Sequence, residues 1–114
     1  DISMIDRVIQ NLVDNAIKYT PKDGWIKLQA QRSNENINIL VENSGEGIPS
    51  KDLQSIFDRY YKVDKEKFEI EGSGLGLAIV KKMLDLHNVS ITAESVPHEY
   101  TRFEFTLKPH SKDV

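Results

Sequence analysis

Apolar residues near the start of the chain recur with the period of a helix. Between Ile5 and Ile17 they fall three or four residues apart, which would give a helix one apolar stripe. The stripe consists of Ile5, Val8, Ile9, Leu12, Val13, Ala16 and Ile17. Pro21 and Gly24 stand in the polar turn that follows and favour an end to the helix there. The pattern predicts that the chain opens with an amphipathic helix.

Four later segments alternate apolar and polar residues, which is typical of strands with one buried face. The first two segments are separated by the polar turn 33–36, and the other two follow near the end of the chain. Their apolar positions are Ile26, Leu28 and Ala30; Ile37, Ile39 and Val41; Val89, Ile91 and Ala93; and Phe103, Phe105 and Leu107. The sequence therefore predicts two strand pairs.

Two further helices are predicted between these strand pairs. Ser50 can cap a short helix, and a longer helix runs from about Gly74 to His87. Their predicted inward residues are Leu53, Ile56 and Phe57 in the short helix, and Leu75, Ile79, Met83 and Leu86 in the long one. The charged stretch 62–72 has no clear period and is interpreted as a loop. This order of elements predicts an α/β (α+β) two-layer sandwich, with helices on one face of a mixed, mainly antiparallel sheet.

Length and composition favour a single globular domain over residues 1–114. Of the 114 residues, 39% are hydrophobic and 29% charged, which excludes a disordered tail. No apolar run approaches the ~20 residues of a membrane span, so we expect no membrane contact by this domain. The net charge of −3 argues against a nucleic-acid partner. The chain has no cysteine, which excludes disulfides and cysteine-ligated zinc.

The first helix carries an unusual polar strip beside its apolar stripe. Asn11, Asn15, Lys18 and Tyr19 fall on one side of the helix at this spacing. Two amides, an ammonium and a phenol can together hold a hydrated divalent ion, phosphate oxygens and an aromatic ring. The alternative is a solvated helix face on which two asparagines occur by chance.

Two glycine-rich segments add candidate ligand contacts. Asn43–Pro49 follows a strand and contains Gly45 and Gly47, which let backbone approach a flat ligand closely; an ordinary turn is the alternative. Gly72–Leu77 runs into a helix start, where free N–H groups favour phosphate; a helix cap is the alternative. It is not the dinucleotide fingerprint, because Leu77 stands where that motif requires glycine.

Taken together, these segments resemble the motifs of bacterial sensor histidine kinases. Residues 11–20 (NLVDNAIKYT) resemble the N box, residues 43–49 the G1 box and residues 56–62 (IFDRYYK) the F box, while residues 72–77 match the G2 box completely. The four motifs occur in family order and cover essentially the whole chain. The resemblance implies the Bergerat ATP-binding fold, which is shared with DNA gyrase, mismatch-repair ATPases and the 90-kDa heat-shock chaperones.

The resemblance also implies roles for individual residues in binding ATP and Mg²⁺. Asn15 would be the Mg²⁺ ligand, with Asn11 beside it as a candidate second ligand, and Lys18 and Tyr19 would reach phosphate and nucleoside. Asn43 would accept a hydrogen bond from the adenine amino group. The other implied ATP-binding residues are Gly45, Gly47 and Ile48 of the G1 box; Phe57, Arg59 and Tyr60 of the F box; and Gly72, Ser73, Gly74, Leu75, Gly76 and Leu77 of the G2 box. Residues 62–73 would form the ATP lid.

The function implied by the resemblance is the catalytic domain of a two-component sensor. Such a domain would donate the γ-phosphoryl group of ATP to a histidine on a separate dimerisation domain, for relay to a response regulator. The dimerisation and sensor domains are absent from this chain, and we expect a cytoplasmic domain of a membrane-anchored bacterial sensor. No residue is assigned as catalytic, since none of the three histidines lies in the sequence setting of a phosphoacceptor.

Three differences from related families bear on the alternatives, which include another Bergerat-fold ATPase. The histidine kinases carry aspartate where this chain has Asn43, and a neutral acceptor makes a weaker bond, so a weakened or non-catalytic nucleotide-binding module is an alternative. ATP-hydrolysing relatives carry a glutamate four residues before the Mg²⁺-binding asparagine; here that position is Asn11, which has no useful basicity. Asn88 and Val89 replace a family Gly-Gly, which we expect to change only a turn.

Overall fold

The chain forms two helices against one four-stranded sheet in a computed structural model that describes residues 2–53, 55–57 and 76–108. The elements in chain order are α1 (Ile2–Tyr19), β1 (Ile26–Ser33), β2 (Asn36–Ser44), a 3₁₀ turn (Ser50–Asp52), α2 (Gly76–Leu86), β3 (Ile91–Val96) and β4 (Tyr100–Leu107). The strand order is β1-β2-β4-β3, and each neighbouring pair is antiparallel. The predicted two-layer α+β architecture is confirmed.

The core lies between the helices and the inner face of β2 and β4. Val41 pairs with Phe103, and both are almost completely buried. Val8 and Leu12 of α1 and Val80 and Leu84 of α2 are fully buried. Burying side chains of this size contributes about 1.5–3 kcal/mol each, so this contact holds the two layers together.

One row across the inner face of the sheet is polar instead of apolar. Asn43 of β2 pairs with Thr101 of β4, and Thr101 pairs with Ser95 of β3. The next row toward the core contains Val41, Phe103 and Ala93. The apolar core therefore ends in a polar row at one edge of the inner face.

The second long helix has the predicted period but a different buried face. α2 begins at Gly76 and buries Val80 and Leu84, whereas Ile79 and Leu86 are 41% and 71% exposed. The prediction that these two residues face inward is therefore wrong, while Met83 does pack against the core. Because apolar residues are dense between positions 77 and 84, more than one helix phase fits the pattern. Leu75 lies outside the described residues.

The first strand forms as predicted but is not buried. Ile26 and Leu28 pair with inner-face residues of β2, yet they are 40% and 57% exposed. β1 is an edge strand, and the most extensive helix–sheet contact is that of α1 with β2. The alternation therefore predicts the strand correctly, but its apolar residues Ile26, Leu28 and Ala30 are exposed, because neither α1 nor α2 packs extensively on β1.

Two turns differ in detail from the prediction. The short helix is a single 3₁₀ turn with Pro49 at its cap position, so the prediction that Ser50 caps it is wrong. Asn88 follows α2 with a φ of 60°, a left-handed conformation that asparagine tolerates well. The N–H of Val89 donates to the carbonyl oxygen of Leu84 at 2.9 Å, so the departure from the family sequence falls in a turn.

Candidate functional site

The polar row holds a buried amide with one unused hydrogen-bonding atom. Asn43 is 4% exposed, and its Nδ2 donates to the carbonyl oxygen of Ser44 at 2.8 Å. Its Oδ1 has no donor among the described residues. A buried acceptor without a partner costs about 1–3 kcal/mol, so a ligand that brings a donor to this atom would gain that energy back.

Thr101 adds a second acceptor that the sequence analysis did not identify. It pairs directly with Asn43 across the sheet and is 7% exposed. The signal was present in the alternation of β4, because Thr101 occupies the same face as Phe103 and Phe105. A polar residue in the buried phase of a strand is a candidate ligand contact, but its pairing with Asn43 requires the strand register.

At the two glycines of the G1 box, the backbone packs closely against other parts of the protein. Gly47 has a φ of 79°, and a Cβ built there would lie 2.8 Å from Ser95 Oγ and 2.9 Å from the carbonyl oxygen of Val96. A Cβ on Gly45 would lie 2.8 Å from the carbonyl oxygen of Tyr19. Glycine at these positions lets the loop approach the end of α1 and the β3–β4 turn.

The polar strip of α1 faces the start of α2. Asn11 donates from Nδ2 to the carbonyl oxygen of Arg7 at 2.9 Å, and its Oδ1 lies 3.7 Å from an ideal Cβ on Gly76. Asn15 is half-buried, and its side chain has no hydrogen-bond partner among the described residues. The N box and the last residues of the G2 box are therefore neighbours, as a shared phosphate site would require.

The remaining two residues of the strip lie at the end of α1. Lys18 is exposed, so its ammonium is free to move toward a bound anion. Tyr19 is half-buried, and this burial raises the pKa of its phenol above the usual value. A tyrosine phenol is already protonated at neutral pH, so the raised pKa leaves Tyr19 as a hydrogen-bond donor.

Some of the other predicted site residues belong to the described part of the chain, and the rest lie outside it. Phe57 packs edge-to-face on Phe103, with ring centroids 6.0 Å apart, and Ile48 is buried beside the G1 glycines. Gly76 begins α2, and Leu77 packs against the core. The predicted roles that fall outside the described residues are those of Arg59, Tyr60, Gly72, Ser73, Gly74, Leu75 and the lid segment 62–73.

The described residues offer three kinds of group that a nucleotide could use. Asn43 and Thr101 offer acceptors at one end of the sheet, and the amides of Asn11 and Asn15 are hard oxygen donors suited to Mg²⁺. Gly76 is the first described residue of α2, and the N-terminal end of a helix is the positive end of its dipole. An aromatic amine, a divalent cation and phosphate would each find suitable groups here.

Comparison with known proteins identifies the family. Residues 1–111 match the family model described as "Histidine kinase-, DNA gyrase B-, and HSP90-like ATPase". The chain is 39% identical over 110 residues to the sensor histidine kinase WalK of Bacillus subtilis, a match that covers 94% of this chain and 18% of WalK. It thus spans less than a fifth of the length of that relative.

Two solved structures share the fold. The mycobacterial sensor histidine kinase MprB superposes with a TM-score of 0.82 at 25% identity, covering 95% of this chain and 74% of that one. A nucleotide-free catalytic domain of histidine kinase ThkA superposes with a TM-score of 0.78 at 31% identity, covering 95% and 68%. Within the described residues, no helix is long and apolar enough to cross a membrane. The chain belongs to the histidine kinase-, DNA gyrase B- and HSP90-like ATPase family, as a domain of the sensor histidine kinase type.

Proposed function

We propose that this domain binds ATP·Mg²⁺ and presents the γ-phosphoryl group to a histidine on a separate domain. The observation that carries the proposal is the buried Asn43, whose Oδ1 lacks a donor among the described residues. The exocyclic amine of adenine supplies a donor of the kind this atom needs. The part of the G1 box that follows β2, residues 45–49, is called the G1 loop. It contains Gly45 and Gly47, so the base would lie directly against backbone at these two positions.

The polar strip of α1 supports a phosphate and metal site beside the base. We propose that Asn15 ligates Mg²⁺ through its amide oxygen, because its side chain is uncommitted among the described residues. Asn11 would be the second candidate ligand, since its Oδ1 stays available while its Nδ2 donates to Arg7. Mg²⁺, when bound, would neutralise phosphate charge; Lys18 and Tyr19 would add an ammonium and a phenol donor.

An amide in place of a carboxylate at position 11 favours phosphoryl transfer over ATP hydrolysis. A water molecule needs a general base to become an effective nucleophile, whereas an imidazole is nucleophilic already. Asn11 occupies the position of the glutamate in ATP-hydrolysing relatives, and its amide nitrogen is hydrogen-bonded to backbone. The domain would therefore act by positioning ATP and stabilising charge while the acceptor histidine supplies the nucleophile.

The partners follow from the same proposal. The acceptor histidine would lie on the dimerisation domain of the longer protein, and a response regulator would receive the phosphoryl group from it. In that protein we expect this domain to lie on the cytoplasmic side of a membrane-anchored sensor. We expect no nucleic acid and no direct membrane contact for the domain itself.

A second candidate is a nucleotide-binding module that has lost turnover. Asn43 favours it, because a neutral amide binds the adenine amine more weakly than the family aspartate would. The same pocket would then bind ATP, and no phosphoryl group would reach the acceptor.

Labelled phosphoryl transfer distinguishes these functions. The domain is incubated with γ-labelled ATP and Mg²⁺, alone and within the longer protein that carries the phosphoacceptor domain. We expect acid-labile, base-stable label on the acceptor of the longer protein and no label on the isolated domain. Rapid release of inorganic phosphate without acceptor would favour an ATPase instead. ATP binding without label on the acceptor would favour the inactive module.

A further inference from the structure

We propose that Ser95 is a positioning residue that sets the shape of the G1 loop and the hydrogen-bonding direction of Thr101. The inference rests on the proposed function, since it concerns the same nucleotide pocket. Ser95 lies on β3, outside the four motifs that identify the family. It occupies the third position of the polar row, next to Thr101.

Ser95 links the G1 loop to the sheet through its side chain. The backbone N–H of Ile48 donates to Ser95 Oγ at 2.7 Å, and Ile48 itself is buried. The hydroxyl of Ser95 in turn donates to the carbonyl oxygen of Tyr100 at 2.8 Å. The absence of a side chain on Gly47 makes this contact possible, because a Cβ there would lie 2.8 Å from Ser95 Oγ.

The single proton of Ser95 also determines what Thr101 can do. Thr101 Oγ1 lies 3.4 Å from Ser95 Oγ, a long contact in which either hydroxyl could be the donor. The carbonyl oxygen of Tyr100 can only accept, so it takes the proton of Ser95. Thr101 is then the donor toward Ser95, and its lone pairs are left for the pocket. Ser95 thereby makes Thr101 an acceptor beside Asn43, which suits the amine of adenine.

Other hydrogen bonds also stabilise the G1 loop, but they involve different residues from the contact between Ser95 and Ile48. The N–H of Gly45 donates to the carbonyl oxygen of Glu99 at 3.3 Å, and the N–H of His98 donates to the carbonyl oxygen of Glu46 at 2.6 Å. The side chains of His98 and Glu46 also meet at 3.0 Å, but both are largely exposed. These contacts hold the first half of the loop. Ser95 holds Ile48 at the other end and is the contact that also reaches Thr101.

The test compares Ser95→Ala with Thr92→Ala, a matched loss of a hydroxyl from the same strand. Thr92 Oγ1 also donates to a backbone carbonyl, that of Glu104, but on an exposed part of the strand. Without nucleotide, we expect the Ile48 amide to exchange with solvent faster in Ser95→Ala and at the parent rate in Thr92→Ala. In calorimetric titrations, we expect Ser95→Ala to weaken ATP about three- to tenfold and Thr92→Ala to leave the affinity unchanged.

A double-mutant cycle separates positioning from a general loss of structure. Thr101→Val removes the pocket hydroxyl, so Ser95→Ala should cost less ATP affinity in that background than in the parent. The effects of Thr92→Ala and Thr101→Val on ATP affinity should be additive. Unchanged Ile48 exchange, an ATP affinity equal to that of Thr92→Ala, or full additivity with Thr101→Val would each overturn the role of Ser95. A parent domain that binds no ATP would instead overturn the proposed function, and the inference would fall with it.

Discussion

At the scale of single residues, the nitrogen and the oxygen of the Asn43 amide differ in their hydrogen bonding. Nδ2 donates to the carbonyl oxygen of Ser44, whereas Oδ1 is without a donor among the described residues. The side chain is therefore set to accept. An adenine amine would satisfy it, whereas the carbonyl oxygen of guanine would meet another acceptor unless the bond to Ser44 broke.

Asn43→Asp should strengthen this preference. A carboxylate accepts a charge-assisted hydrogen bond, which is worth about 1 kcal/mol more than a neutral one, so ATP affinity should rise roughly five- to tenfold. GTP affinity should fall, because guanine presents a carbonyl oxygen to the new charge. The opposing cost is desolvation of the carboxylate and loss of the donor to Ser44. Titration of both variants with ATP and GTP measures the change.

The control for this substitution is Asn34→Asp, which adds the same charge in the exposed turn between β1 and β2. Asparagine and aspartate both tolerate the left-handed conformation of that position, where φ is 59°. Asn34→Asp should leave both nucleotide affinities near those of the parent. Equal ATP affinity and equal ATP/GTP preference in the Asn43→Asp and parent domains would mean that residue 43 does not contact the base.

Residues on one helix were easier to predict than residues on paired strands. Asn11, Asn15, Lys18 and Tyr19 follow from helix spacing, because the helix is local and its period is known. Thr101 and Ser95 join the site through cross-strand pairing with distant residues. Strand register depends on turns and on side chains elsewhere in the sheet, so a single sequence does not place these two in one row with Asn43.

At the scale of elements, the G1 loop depends on glycine for its path. Gly47 combines a positive φ with close neighbours in Ser95 and Val96. By contrast, a Cβ on Gly76 would have ordinary contact distance to Asn11, at 3.7 Å. The two glycines of the same domain therefore differ in their expected tolerance of a methyl group.

Gly47→Ala should lower the free energy of unfolding by about 1–3 kcal/mol, because it adds both backbone strain and a clash. Gly76→Ala should leave stability unchanged or raise it by up to about 1 kcal/mol, since alanine favours the helix. Urea unfolding followed by circular dichroism measures both variants against the parent. Equal transition midpoints for the two variants would contradict the described path of the loop.

At this scale the sequence pattern predicts which elements form, but it does not predict which of their faces are buried. Alternation identified all four strands, but the exposure of Ile26 and Leu28 depends on where the helices end in space. The periodicity predicts α2, but it favours Ile79 and Leu86 as buried positions, whereas Val80 and Leu84 are the buried ones. Tertiary packing decides such choices when several faces of a segment are apolar.

At the scale of the whole molecule, two separate layers contribute to one end of the domain. The polar row of the sheet supplies acceptors, and the strip of α1 supplies amides next to the start of α2. The described residues bring the N box against Gly76 and the end of α1 against Gly45. ATP would bind where the two layers meet.

The proposed function requires this domain to bind ATP together with Mg²⁺ through Asn15. Isothermal titration of ATP with and without Mg²⁺ into the parent, Asn15→Ala and Gln10→Ala tests this requirement. Gln10 is the matched control, because it lies exposed on the same helix, where it donates to Asp14 at 3.1 Å. Each variant is first checked for parent-like unfolding.

We expect one ATP per parent domain, with an affinity that Mg²⁺ increases, and the same behaviour in Gln10→Ala. Asn15→Ala should lose roughly tenfold in affinity when Mg²⁺ is present and little when it is absent, because a cation ligand has been removed. Parent-like, Mg²⁺-dependent binding by Asn15→Ala would contradict the ligand role of this residue. A parent domain that binds no ATP under either condition would contradict the whole account.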